Sequence, residues 1–292
     1  MNLVSVVIPV FNAERYLREA IDSVLAQEGV NVEIIAIDDG STDGSPDILA
    51  TYEGRIVCRR QTNSGQAMAM NEALKLATGE YVAYLDADDV CLPDRLSAQV
   101  RYLQSYPHID LVYTATEYIE ADGRSMGVKR VNPPDPLRLL FLNDVPHSTV
   151  MHRRAALDRV GVFDASYLNH DWDLWVRFSE SSRLGFIPTP LVRYRVHPTN
   201  VSRTRRRALN HHRWARMIML GKTWERRGRP CWLRLLYERA RIEWWLLTHP
   251  VVSERAGLLW WYTHVFFNAI EMHLVRWIVR EAAYPKPWRE PS

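Results

Sequence analysis

Val4-Ser5-Val6-Val7-Ile8-Pro9 is an almost unbroken apolar run, the pattern of a strand with both faces buried. The spacing then turns helical at Tyr16, Leu17, Ala20, Ile21, Val24 and Leu25, with Asn12 placed to cap that helix. Glu33 to Ile37 reads as a second strand, and Ser45 before Pro46 as an N-cap with proline at the first helical position. Arg55 to Arg60 is a third strand, and Asn63-Ser64-Gly65 is a loop. Ala67, Met70, Ala73, Leu74 and Ala77 mark another helix. Tyr81 to Leu85 is a strand, and a helix enters at Pro93. This alternation predicts an α/β fold, a mostly parallel sheet flanked by helices. Further on, Leu111 to Ile119 alternates like a strand and Leu137 to Leu142 is helical in spacing. Ser148 to His152 reads as a short strand. Asp171 to Ser181 reads as a helix with Leu174, Trp175 and Phe178 inward, and Arg183 to His197 as one or two strands around Pro188 and Pro190.

Asp86-Ala87-Asp88-Asp89 follows the Tyr81–Leu85 strand. Three carboxylates in four positions repel one another and call for a cation or strong hydrogen-bond donors. A divalent ion carrying a diphosphate suits them, because Mg²⁺ and Mn²⁺ favour a few carboxylates plus phosphate oxygens. Asp39 lies just beyond the second strand, in Asp38-Asp39-Gly40-Ser41-Thr42-Asp43-Gly44. Both acidic loops therefore stand at the carboxyl ends of expected parallel strands, the edge where open α/β sheets bind ligands. A nicotinamide-dependent dehydrogenase is excluded. The turn Pro9-Val10-Phe11-Asn12-Ala13-Glu14 contains no glycine and so lacks the dinucleotide fingerprint.

Charge divides the 292 residues. Residues 1–199 carry 19 Lys/Arg against 27 Asp/Glu, whereas 200–292 carry 18 against 7 and nine of the eleven tryptophans. We expect a junction near Asn200–Arg207, with one domain over 1–200 and a basic, Trp-rich helical extension over 201–292. Arginine and tryptophan suit an anionic membrane surface, whereas the alternative packs these helices on the first domain or on a second subunit of a homodimer. Gly257 to Val279 is long enough to span a bilayer, but His264, Asn268, Glu271, His273 and Arg276 make insertion expensive. No nucleic-acid partner is expected, since no recognised module accompanies the basic residues and the first domain is acidic. Cys58, Cys91 and Cys231 are scattered, without zinc spacing, which fits a reducing cytosol. The short apolar start contains Pro9 and follows no basic region, so it reads as a strand rather than a signal peptide. The expected location is cytoplasmic, with peripheral contact at the inner membrane face as an option.

Four segments taken together resemble the inverting family 2 glycosyltransferases of the GT-A fold. They are Val4 to Asn12, Ile37 to Asp43, Gly79-Glu80-Tyr81 into Asp86-Ala87-Asp88-Asp89, and Asp171-Trp172-Asp173-Leu174-Trp175. The resemblance covers roughly residues 3–200. It implies a metal-dependent enzyme, using Mn²⁺ or Mg²⁺, that moves a sugar from a nucleotide-diphosphate donor, a UDP-sugar first, to a saccharide or lipid-linked acceptor hydroxyl. Polysaccharide or glycolipid assembly is the family's common setting.

Residue roles follow from the same matches. Asp39 would accept from the base imide, which suits uridine, and Pro9, Phe11 and Glu14 would shape the base and ribose pocket. Asp86 would face ribose or sugar. Asp88 is the favoured metal ligand and Asp89 the second, and His197 in Tyr194-Arg195-Val196-His197 would approach the diphosphate and metal. Asp171 would be the catalytic base, with Asp173 a competitor. His170-Asp171 stands where relatives carry Glu-Asp, and His147-Ser148-Thr149 resembles the segment beneath the donor sugar and acceptor. Relatives often have Ala-Arg-Asn where this chain has Ala69-Met70-Asn71, so a phosphate-facing arginine would have to come from Arg195 or from beyond residue 200. A catalytically inactive nucleotide-sugar-binding scaffold is the rival, against which the intact Asp88 and Asp171 speak.

Overall fold

Valine and isoleucine at alternate and adjacent positions make the first strand a central one. In the computed structural model, which describes residues 2–129, 133–134, 139, 143, 145–166 and 169–200, Val4, Val6, Val7, Ile8 and Val10 are fully buried. The chain runs β1 (Leu3–Val10), α1 (Leu17–Leu25), β2 (Asn31–Asp38), α2 (Ser45–Ala50), β3 (Val57–Arg60), α3 (Gln66–Leu76) and β4 (Tyr81–Tyr84). It continues through β5 (Val90–Cys91), α4 (Arg95–Ser105), β6 (Ile109–Glu120), β7 (Ser125–Lys129), β8 (Met151–Arg153), α5 (Leu157–Val160), α6 (His170–Ser181) and β9 (Arg183–Val196). The sheet order is β3-β2-β1-β4-β8-β6-β9-β5, with β7 paired to β6 outside that path.

The expected parallel sheet is the first half of this order. β1 pairs in parallel with β2 and β4, and β2 with β3. The second half is mixed: β8 runs antiparallel to both β4 and β6, β9 is parallel to β6, and β5 is antiparallel to β9. Pro9 sits in β1 without cost to the inner ladder, because pairing with β4 has ended at Val7. Gly79 is required by close approach. A Cβ there would stand 2.7 Å from the Ser5 backbone nitrogen, and the Gly79 N–H donates to Ser5 Oγ at 2.8 Å.

Several sequence expectations are corrected in detail. Asn12 does not cap α1. It takes a left-handed conformation (φ 49°), and its Oδ1 accepts from the Thr42 N–H at 2.8 Å. Ser45 is likewise no cap, since its Oγ accepts from the Ala13 N–H at 2.9 Å while Asp43 Oδ1 accepts from the Ser45 N–H at 3.0 Å. Residues 147–149 form a 3₁₀ turn, and the strand after them starts at Met151. Residues 183–196 make one long strand, which absorbs Pro190 through register shifts against Thr114–Thr116. The expected helix at Leu137–Leu142 and the extension over 201–292, including Gly257–Val279, lie essentially outside the described residues. No helix among the described residues is long and apolar enough to cross a membrane.

Two buried polar clamps fix the β4–β8 junction, from which the acidic loop emerges. Arg95 is fully buried and donates from Nη2 to the carbonyls of Tyr84 (2.9 Å) and Val150 (3.2 Å). His152, also fully buried, lies 2.7 Å by Nε2 from the Tyr84 hydroxyl and 2.9 Å by Nδ1 from the Arg153 carbonyl. The carbonyl can only accept, so Nδ1 carries the proton and Nε2 accepts from Tyr84. Burial holds His152 neutral and pushes its pKa down to about 4. The unfolded chain therefore binds the extra proton first, so this stability is present above about pH 6.5 and lost as pH falls toward 4. We expect this group to remove about 3 kcal/mol across that window. Urea unfolding at stepped pH should show a shallower acid slope in His152→Gln than in wild type.

Candidate active site

The carboxyl ends of β1 and β2 feed two loops that are laced to each other by reciprocal hydrogen bonds. Beside the Asn12 and Ser45 contacts, the Asn12 N–H donates to Ser41 Oγ (3.0 Å) and the Glu14 N–H to Asp43 Oδ2 (3.0 Å). The Gly44 N–H in turn donates to Glu14 Oε2 (2.6 Å). Glu14 thus acts as a loop tie. Pro9 is partly buried at the strand end, and Phe11 is half exposed beside it (50%), an aromatic face left open to solvent.

Asp39 is buried, and its carboxylate organises the next loop. Oδ1 accepts from Gln61 Nε2 (2.7 Å) and the Ser64 N–H (2.8 Å), and Oδ2 accepts from the Gly65 N–H (2.8 Å). One acceptor position on Oδ2 is left for a ligand. At the mouth of β3, Arg60 donates to the Ser41 carbonyl at 2.8 Å and its Nε lies 3.3 Å from Asp38.

The three carboxylates of the acidic loop have separate surroundings. Asp89 is fully buried. Its Oδ1 accepts from the Arg195 N–H (2.9 Å) and its Oδ2 from Ser148 Oγ (2.5 Å). Ser148 Oγ also accepts from the Asp86 N–H at 3.0 Å, so one hydroxyl joins both ends of the loop. Burial first, and then the charges of Asp88 and Asp86, push the Asp89 carboxyl well above its usual range.

Asp88 is open on one side, with its side chain a quarter exposed. Its Oδ2 lies 2.8 Å from His197 Nε2 and accepts from Asn200 Nδ2 at 3.1 Å. The other His197 nitrogen, Nδ1, lies 2.9 Å from Thr199 Oγ1.

Asp86 faces the turn at 147–149. Its Oδ1 accepts from Gln66 Nε2 (2.9 Å) and lies 3.2 Å from His147 Nδ1. Burial alone would raise the Asp86 carboxyl, but His147 and the Ser148 contact outweigh it and the net shift is downward. Asp171, in the first turn of α6, accepts from Asn143 Nδ2 at 3.0 Å. Asp173 is buried two residues on, with Oδ2 held by Arg177 at 2.8 Å, which leaves Asp171 as the carboxylate of that pair suited to substrate.

Arg195 does not turn its guanidinium toward this site, and the basic residues beyond 200 that were its alternative lie outside the described residues. Arg195 is buried and all its side-chain nitrogens are committed. Nε donates to the Asp88 carbonyl (3.0 Å), Nη1 to the carbonyls of Glu120 and Ala121, and Nη2 to Glu19 (2.5 Å), with the guanidinium 4.7 Å over the Tyr16 ring. Met70 is fully buried in the core. Gln66, Asn143, Asn200 and Thr199 were not singled out from the sequence, and Ser148 only as part of His147-Ser148-Thr149. Neutral polar residues carry no distinctive spacing, and only their contacts with Asp86, Asp88, Asp89, Asp171 and His197 mark them.

The family model for glycosyl transferase family 2 matches residues 5–169. This chain belongs to that family. It is 33% identical over 211 residues to an uncharacterized glycosyltransferase of Rickettsia typhi, a match covering 69% of this chain and 66% of that one. It is 34% identical over 195 residues to the putative glycosyltransferase EpsE of Bacillus subtilis, over 63% and 69% of the two chains. In structure it is similar to S. aureus TarS 1–349 in complex with UDP-GlcNAc, with TM-score 0.58, 22% identity, and 68% and 60% of the chains covered. The mannosyltransferase PcManGT of Pyrobaculum calidifontis, in complex with GDP-Man and Mn²⁺, matches with TM-score 0.55, 22% identity, and 71% and 61% covered. These neighbours confirm the GT-A-type fold: the α/β sheet expected from the sequence. The match to the Rickettsia relative leaves about a third of that protein's length unspanned.

The contacts of Asp89 give it a structural role that can be separated from ligand binding. Asp89→Asn retains an acceptor for Arg195 and can donate to Ser148, so we expect a stability change within about 1 kcal/mol. Asp89→Ala leaves a buried N–H and hydroxyl unpaired and should cost about 2–3 kcal/mol. Equilibrium denaturation of the two variants checks both.

Proposed function

We propose that this chain is a metal-dependent, inverting glycosyltransferase that moves a sugar from a nucleotide-diphosphate donor, a UDP-sugar first, to a saccharide or lipid-linked hydroxyl. The observation that carries this reading is the division of labour among the carboxylates. Asp88, a quarter exposed and paired with the buried His197, is suited to a cation, and Asp171 is a separate carboxylate suited to a proton.

The donor set fits a divalent ion in part. The 2.8 Å between Asp88 Oδ2 and His197 Nε2 is close to the spacing of neighbouring ligands around a small octahedral cation, about 3 Å. Thr199 stands at the far nitrogen of His197, as an orienting partner of a ligating imidazole does. Among the described residues no group of three or more His, Cys, Asp or Glu could hold an ion unaided. An ion held by so few protein donors would take its remaining ligands from diphosphate oxygens. When bound there, the metal would offset the charge that develops on the departing diphosphate. Support for nucleotide sugars comes from the fold neighbours solved with UDP-GlcNAc and with GDP-Man and Mn²⁺. The buried Asp89 is better placed to hold the loop than to ligate.

The chain's own residues would divide the work as follows. Phe11 offers its exposed ring to the base, Asp39 the remaining acceptor position of Oδ2, and the laced loops at 11–14 and 41–45 a rigid wall. Asp86, steadied by Gln66 and His147, accepts from hydroxyls of ribose or sugar. Asp171 takes the proton of the attacking hydroxyl, on the face of the sugar opposite the diphosphate, so the anomeric centre inverts without a covalent enzyme intermediate. Arg195 serves the site by fixing Asp88 and Asp89 rather than by touching phosphate. The domain division at residue 200, with a basic extension that packs on the first domain, on a second copy or on a membrane surface, completes the proposal.

Thermal stabilisation by UDP, GDP, dTDP and CDP, each with and without Mn²⁺, tests the donor half. We expect the largest shift from UDP with Mn²⁺ and loss of most of it in Asp88→Asn. No shift with any nucleotide would contradict the donor half. For the acceptor half, Asp171→Asn should lower kcat at least about 100-fold while nucleotide binding persists.

A further inference from the structure

The carboxylate of Asp39 is nearly saturated, and its partners decide what it can still accept. An ionised carboxylate offers about four acceptor positions, shared equally by its oxygens. Oδ1 fills its share with Gln61 Nε2 (2.7 Å) and the Ser64 N–H (2.8 Å). Oδ2 holds the Gly65 N–H (2.8 Å) and keeps one position open. With 4% of Asp39 exposed, only an edge of the residue is open to a ligand.

The backbone donors are fixed by the fold. β3 ends at Arg60 in register with Asp38, and the Gln61 N–H donates to the Asp38 carbonyl at 2.9 Å. The loop then passes Gly40 so closely that a Cβ there would stand 2.9 Å from the Asn63 nitrogen. Gly65 enters α3 at φ 90°, a conformation that favours glycine, with its N–H on Oδ2. Gln61 alone donates to Asp39 from a side chain, so it is where the sequence can change the capacity of Oδ1. Its Oε1 cannot take that place, because two acceptors would then face each other.

Bases differ in the edge they would show to this carboxylate. Uracil has a single imide N–H between two carbonyls. Guanine has a ring N–H and an amino N–H side by side, a pair that suits both oxygens of one carboxylate. With Oδ1 filled, the amino group of guanine meets an oxygen that has no free position, and one donor goes unpaired. We propose that Gln61 is a positioning residue that sets base selectivity: by occupying Oδ1 it leaves Asp39 one acceptor position, which admits a single imide N–H and excludes guanine. This deepens, and rests on, the assignment of Asp39 to the base made above. Without Gln61 each oxygen has one position free, and the carboxylate can take guanine through both.

Inosine diphosphate isolates this effect, because it differs from GDP only in lacking the amino group and so shares the single imide N–H of uracil. Calorimetric titration of the full chain with UDP, GDP and inosine diphosphate, each with Mn²⁺, is compared between wild type and Gln61→Met, which keeps the length of the side chain without its donor. Wild type should bind inosine diphosphate at least about tenfold more tightly than GDP, and Gln61→Met should bring GDP level or ahead. A general loosening of the loop would weaken both purines alike, and an unmoved ratio overturns the proposal. So does a wild type that binds GDP as tightly as inosine diphosphate, a comparison that stands even if Gln61→Met does not fold. Purines still excluded from a folded Gln61→Met place the selectivity elsewhere and overturn it too. UDP methylated at the imide nitrogen checks the underlying assignment in wild type. Undiminished binding removes Asp39 from the base and this proposal with it, whereas weakened binding beside an unmoved purine ratio removes the role of Gln61 alone.

Discussion

One buried carboxylate holds the site together. Asp89 accepts from the Arg195 backbone at the end of β9 and from Ser148 in the turn before β8, while Ser148 reaches back to the Asp86 N–H. Three segments far apart in sequence meet there. A charged or half-charged group is worth burying only if its acceptors are filled, and here both oxygens are. The cost of removing it from water is offset by a single arrangement of the loop, in which Asp86 and Asp88 must face outward. Arg195 reinforces that arrangement from the other side, since its guanidinium ties the Asp88 carbonyl to Glu19 and to the end of β6.

The sheet supplies the frame for this. Four parallel strands end together at one edge, and the reversal at β8 brings 147–149, and through β9 residues 195–200, to the same edge. The parallel half contributes Phe11, Asp39 and the acidic loop. The mixed half contributes His147, Asp171 and His197. His197 of the mixed half reaches across to Asp88 of the parallel half, and Arg95 and His152 lock the seam between the halves at Tyr84 and Val150. Sheet order, rather than local sequence, brings the 147–149 turn and residues 195–200 against the 86–89 loop.

Much of this was legible in the chain. The continuous apolar runs of β1, β2 and β4 and the helical spacing of α1, α3 and α6 were read with boundaries close to those observed, because burial on both faces or on one stripe leaves a strong periodic signal. β5 and β7 were not anticipated: two residues carry no period, and β7 is an edge strand with Met126 and Val128 exposed. Asn12 and Ser45 were read as local caps, but tertiary lacing between adjacent loops claimed both side chains. The acidic residues of the site stood out by crowding. What could not be read was which of Asp86, Asp88 and Asp89 is buried, or that Arg195 points inward, since these depend on partners 50 to 180 positions away in the sequence.

Asp88 and His197 are the proposed ligands of the cation. Mn²⁺ added with UDP to the full chain can be examined by electron spin-echo modulation, which detects a nitrogen bonded to the ion. Imidazole modulation in wild type, absent in His197→Ala, is the expected result. Nucleotide binding with no nitrogen coupling in wild type would contradict the placement of the metal at Asp88 and His197.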